Sequence, residues 1–265
     1  MALAIAVPNL LAILYSYHHN KTLIIDKLAP DAQDRFDLLT RWSYLIAFPT
    51  GFLITTYLIT HLFVVSNGLA KGRSYDAAAL TRARADTLRL GQRVALMVFM
   101  LWVLTGILVP LTLHLSGSAM GFDAVVHFTA SQIVCGAIAI VYPYFLVNFF
   151  AVRCLYPAFL PHGAVSSDDA VRLRRLDRRA TLYLAVSAAV PLFGVACATF
   201  IPTDDLPLVI VAVRVLCVGS ALAFVGAYWL FRLLEADLRA LERVTTPCTL
   251  YPGPRGRSAH RGRRS

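Results

Sequence analysis

The sequence predicts an all-α fold, a polytopic membrane protein built as a bundle of six transmembrane helices. Three observations predict it. Hydrophobic residues fill 58% of the 265 positions, with a mean hydropathy of +0.64, well above the ordinary globular share. They come in blocks, at 3–17, 43–66, 94–114, 125–152, 180–201 and 208–234. Finally, 20 of the 25 Lys and Arg residues fall in segments that alternation of six spans puts on one face. That asymmetry orients membrane helices, because Lys- and Arg-rich segments stay cytoplasmic.

The first block is short. Its residues 3–17 reach roughly 22 Å at ~1.5 Å per residue, against a hydrocarbon core of ~30 Å. It lacks a basic leader and a small-residue cleavage site, so it is not read as a signal peptide. Local bilayer thinning, or a chain that extends upstream, is the expectation. Residues 18–42 balance four basic residues with Asp26, Asp31, Asp34 and Asp37 and are expected to be a near-neutral external loop. The blocks at 43–66 and 94–114 flank a segment with six basic residues, 67–93. Within it, 75–92 is an Ala-, Leu- and Arg-rich run predicted to continue the third span out of the membrane as an amphipathic helix. Residues 115–124 carry no Lys or Arg, and 153–179 carry six. Ser166-Ser167-Asp168-Asp169 opens another such extension, with acids in its first turn and bases later. The 202–207 loop holds Asp204 and Asp205. After the last span, Leu234, Leu238 and Leu241 make a stub too short for a coiled coil, a weak hint of a homodimer. Residues 246–265 form a disordered basic tail suited to anionic lipid headgroups. Both termini are then cytoplasmic.

The net charge of +10 follows from this orientation, and no binding module accompanies it to suggest nucleic acid. The five cysteines contain no CxxC pair, and none lies in an external loop, so no disulfide framework is implied. Pro49, Pro110, Pro143 and Pro191 lie inside spans, where each removes a backbone hydrogen bond that membrane helices tolerate losing. Phe48-Pro49 before Gly68 and Tyr142-Pro143 before Gly163 are similarly spaced, which suggests either an old duplication of two hairpins or ordinary span-start chemistry.

Arg214 stands out six residues into the last span, roughly 9 Å deep by helix rise. It is either a ligand or ion-pair site facing the bundle, or a side chain that snorkels to Asp204, Asp205 or lipid phosphate. His127 and Gln132 complete the candidate ligand-binding set. Ser131, Gln132 and Asn148 within the fourth span are also the residue types that join membrane helices to one another. His18, His19, His114 and His127 share the external level and are the candidates for a metal or an axial haem position. None has the i, i+4 spacing of a metal helix. No phosphate-cradling loop, catalytic triad or carboxylate pair is present, so no catalysis and no cofactor is expected.

Pro8-Asn9-Leu10-Leu11 with Tyr17, Asn20 and Ile24 resembles the opening of a bacterial six-helix membrane domain. His127-Phe128-Thr129-Ala130-Ser131, Cys135-Gly136, Tyr142-Pro143 and Arg153-Cys154-Leu155-Tyr156-Pro157 resemble its fourth helix. That domain accompanies membrane-bound bacterial Ser/Thr protein kinases and some membrane-bound nucleotide cyclases. The resemblance covers roughly residues 1–245 and implies a bacterial inner-membrane anchor or sensor. The kinase Gly-rich loop, catalytic Asp and metal-binding Asp are missing. A cytosolic signalling protein is the partner this implies. A small solute carrier or channel is the alternative, and a haem or metal-binding membrane protein the second alternative.

Overall fold

The computed structural model describes residues 28–117, 120–160, 167–199 and 224–241, with isolated positions at 12, 13, 16, 20, 24, 25 and 221; side chains of 167–170 and 190–199 lie outside the description. Most of the described residues are helical, with no strand among them. Helix α1 spans Pro30–Ala70, α2 Ala77–Leu115 and α3 Phe122–Phe150. A π-turn, Ala151–Leu155, and a last α-turn, Tyr156–Phe159, continue α3. Helix α4 is Ser167–Thr199, and α5 covers 224–241. Among the described residues, three helices are long and apolar enough to cross a membrane: Pro30–Ala70, Ala77–Leu115 and Phe122–Phe159.

The expected external loop at 18–42 needs correction over its second half. Helix α1 already begins at Pro30, where a proline at the first position loses no helix hydrogen bond. Its acids do helix work. Asp31 lies in the first turn, where the macrodipole favours it, and Asp37 pairs with Arg41 one turn on. Between the acids, Ala32 and Phe36 are buried with Val109, Leu113 and Phe128, and the Phe36 and Phe128 rings meet edge-on at 5.1 Å. An amphipathic first turn carries the same charge balance as a neutral loop.

At the other end, α1 stops at a turn in which Gly72 has φ +76°, a left-handed conformation that only glycine adopts without strain. Asp76 then caps α2, accepting 2.7 Å from the Ala79 amide. Helix α2 runs unbroken through 39 residues, roughly 58 Å. The 75–92 segment and the third apolar block are therefore one helix, and Ser167–Thr199 likewise joins the basic segment to the fifth block.

Helices α2 and α3 form the central pair, and small residues let them approach. A Cβ added at Gly106 would lie 3.0 Å from Gln132 Cβ, and one at Gly136 would lie 3.0 Å from Trp102 Cβ. Helices α4 and α5 cover the opposite side of α3, where Tyr144, Phe145, Leu173, Leu176, Leu234 and Leu238 share one buried cluster. Tyr144 and Tyr183 stack there at 3.8 Å. Helix α1 packs on α2 from the other side, with Leu62, Leu69, Leu90 and Val94 in common, and stands at the edge of the bundle.

The two similarly spaced prolines take different environments. Pro49 is exposed on α1 and Pro143 is buried in α3. The π-turn after Pro143 has a local cause in Pro157. That residue offers no N–H to the Arg153 carbonyl, and its ring crowds it. The ladder slips one residue instead, and the Tyr156 amide bonds to the Ala151 carbonyl.

Candidate functional site

The described polar side chains within the bundle gather at two levels. The first lies where α3 meets α1 and the residues before it. Ser131 and Gln132 occupy successive positions of α3, which packs tightly enough on Gly106 of α2 that neither is exposed. Gln132 Nε2 donates 2.8 Å to Ser16 Oγ and reaches Tyr44 OH at 3.5 Å. Ser16 Oγ and Tyr44 OH are 2.9 Å apart. Asn20 Nδ2 donates 3.0 Å to Ser16 Oγ, and Ser131 Oγ donates 3.2 Å to Asn20 Oδ1. One turn further, Cys135 Sγ lies 3.4 Å from the Ala12 carbonyl. The net joins three parts of the chain, with one acceptor over: Gln132 Oε1 is buried with no hydrogen-bond partner among the described residues.

The second level lies toward the Arg-rich ends of α2 and α4. Arg84 is 3% exposed, and its Nη2 donates 2.9 Å to the Phe159 carbonyl in the last turn after the π-turn. Two turns along α2, Gly91 faces Asn148 of α3. A Cβ at Gly91 would stand 2.3 Å from Asn148 Nδ2, so the amide lies directly against the α2 backbone. Asn148 is fully buried, and neither its oxygen nor its nitrogen has a hydrogen-bond partner among the described residues. A buried amide in that state costs about 1–3 kcal/mol. The π-turn begins three residues later.

Of the residues singled out from sequence, Gln132 is therefore at the centre of the first level. His127 is half-buried five residues earlier on α3 and takes no part in its hydrogen bonds. His114 is exposed near the end of α2, beside an apolar groove of about 380 Å³ formed with Pro110, Leu111, Met120 and Val125. His18, His19 and Arg214 lie outside the described residues. No group of three or more His, Cys, Asp or Glu side chains suited to a metal occurs among the described residues. Sequence reasoning missed Ser16 and Tyr44. A hydroxyl inside an otherwise apolar block and a tyrosine at a span start were the available signals. No protein-family model, curated protein or solved structure matches the chain.

Proposed function

We propose that the chain is the membrane anchor and sensor module of a bacterial signalling system, with six spans and both termini in the cytoplasm. The observation that carries this reading is the continuity of α2 from Ala77 to Leu115. One rigid rod joins the Arg-rich segment, which includes the buried Arg84, to the level of Gln132, because Gly106 of the same helix packs against Gln132. A shift at the Gln132 net therefore moves the basic end, as a sensor requires. The likeness of the fourth block to the domain of membrane kinases adds to this reading. The occupant of such a sensor site would engage Gln132 Oε1, the acceptor left over.

Two experiments test it. Alkaline phosphatase fused after Gly117 should be active, and fused after Arg84 or Arg174 inactive; the reverse pattern overturns the orientation. Spin labels at Arg82 and Arg174 in nanodiscs should change their separation by several ångströms in Gln132→Leu. An unchanged distance, together with solute flux in proteoliposomes, would favour the carrier reading instead.

A further inference from the structure

Threonine hydroxyls in the central helices have a default. All four threonines of α2 (Thr81, Thr87, Thr105 and Thr112) and Thr181 of α4 donate to the carbonyl four residues back on their own helix. Thr129 of α3 breaks the pattern. Its Oγ1 donates 3.1 Å across to the Gly106 carbonyl of α2. That oxygen needs a donor, because the residue four positions on is Pro110, which has no N–H to give and crowds the oxygen with its ring. A hydroxyl from the neighbouring helix stands in for the missing amide.

The bond sits where α2 and α3 part. Toward the middle of α2 the helices touch, a Cβ at Gly136 lying 3.0 Å from Trp102 Cβ and one at Gly106 lying 3.6 Å from Thr129 Cα. Beyond Gly106 they separate around the groove of about 380 Å³, with Ile107, Pro110, Leu111 and His114 on one wall and Met120, Val125 and Thr129 on the other. The last turns of α2 are therefore packed on one side and open on the other. On the packed side, Val109 and Leu113 are buried with Ala32 and Phe36 of α1 and with Phe128 of α3. Arg35 Nη1 also donates 2.9 Å to the Ser116 carbonyl. The start of α1 and the end of α2 thus rest together on Phe128, with the groove as the open side.

The geometry points to a hinge in α2 between Gly106 and Pro110, latched by Thr129, about which residues 107–116 and the start of α1 swing together into the groove. Proline removes the hydrogen bond that would stiffen the helix there, and Gly106 adds no side chain to obstruct the bend. The latch has two resting places. A helical threonine divides between rotamers because its hydroxyl can reach a carbonyl of its own helix, here that of Val125, and turning to it releases Gly106. The part of α2 from Ala77 to Gly106 keeps its packing in both positions.

Spin labels in nanodiscs test it, on the full chain with Cys154→Ala, Cys197→Ala, Cys217→Ala and Cys248→Ala as background; Cys135 is buried. Labels at Leu115 and Val126, exposed and outside the groove, report its width, and labels at Met100 and Ile133 report the helix pair before the hinge. Thr129→Val removes the hydroxyl and keeps the shape of the side chain. It should add a Leu115–Val126 population several ångströms shorter and leave Met100–Ile133 unchanged. Thr129→Ser should keep the parent distribution. Pro110→Ala returns an N–H to the Gly106 carbonyl, so in that background Thr129→Val should change nothing. An unchanged Leu115–Val126 distance in Thr129→Val overturns the hinge. So does the same shortening with Pro110→Ala present, since the hydroxyl would then act elsewhere. Should Thr129→Val not fold, oxidative cross-linking of Leu111→Cys with Val125→Cys in membranes decides the matter. Adding Pro110→Ala should lower the yield at least fivefold, and equal yields overturn the hinge. These readouts follow the groove alone and hold or fail independently of the sensor reading.

Discussion

Two buried amides on one helix meet opposite fates. Gln132 donates into a net with Ser16 and Tyr44, whereas Asn148, some four turns further along α3, presses on Gly91 with neither end bonded among the described residues. The first amide joins helices, and removing it should loosen them. The second stores a desolvation penalty beside a π-turn, a feature found frequently at functional sites. Amides of the same type on one helix are therefore told apart by what stands opposite them.

The contrast can be broken most forcefully at Gly91. Replacing it with Ala puts a methyl 2.3 Å from Asn148 Nδ2 in a packed interface. The expected loss is roughly 1–3 kcal/mol, read as a lower unfolding midpoint in detergent. The double variant with Asn148→Ala should recover most of it. A Gly91→Ala chain as stable as its parent would mean that the amide turns aside freely and that the site is not tight.

Asn148→Leu keeps the branching of the side chain and removes both unbonded polar atoms. It should raise stability by about 1–2 kcal/mol. Destabilisation would show that the amide has a partner, such as ordered water, that matters. Gln132→Leu should act in the opposite direction. The expected loss is about 0.6–1.7 kcal/mol, the range of hydrogen bonds between membrane helices. A neutral result would reduce the net to a bystander. Ser131→Ala is the mildest change. It removes the 3.2 Å bond to Asn20 and the 2.8 Å bond to the Phe128 carbonyl while the rest of the net stays, and about 0.5 kcal/mol is expected.

Much of the helical plan could be read from the chain. Ser166-Ser167-Asp168-Asp169 marks the start of α4 within a residue, and the Ala- and Arg-rich run at 75–92 leads into α2 as one helix. These are local signals, carried by caps and periodicity. The start of α1 was hidden because Asp31, Asp34 and Asp37 suit both a solvated loop and the first turns of a helix. Ser131 and Gln132 stood out as polar positions inside an apolar block. Their partners did not, since Ser16 and Tyr44 lie 116 and 88 residues from Gln132 and no periodicity links such positions. Gly91 and Asn148 are also far apart in the sequence, and nothing local in either marks the contact. The π-turn had a cue in Pro157, whose missing N–H disturbs the ladder before it.

The contrast rests on the unbonded Asn148 amide loosening the π-turn beside it, and hydrogen exchange across α3 in nanodiscs tests that most directly. Amides at 151–159 should exchange faster than those at 131–140. In Asn148→Leu they should slow by about tenfold, the factor that ~1.4 kcal/mol implies. Exchange at 151–159 that stays the same in Asn148→Leu would contradict the account, because the unbonded amide would then have no part in loosening that turn.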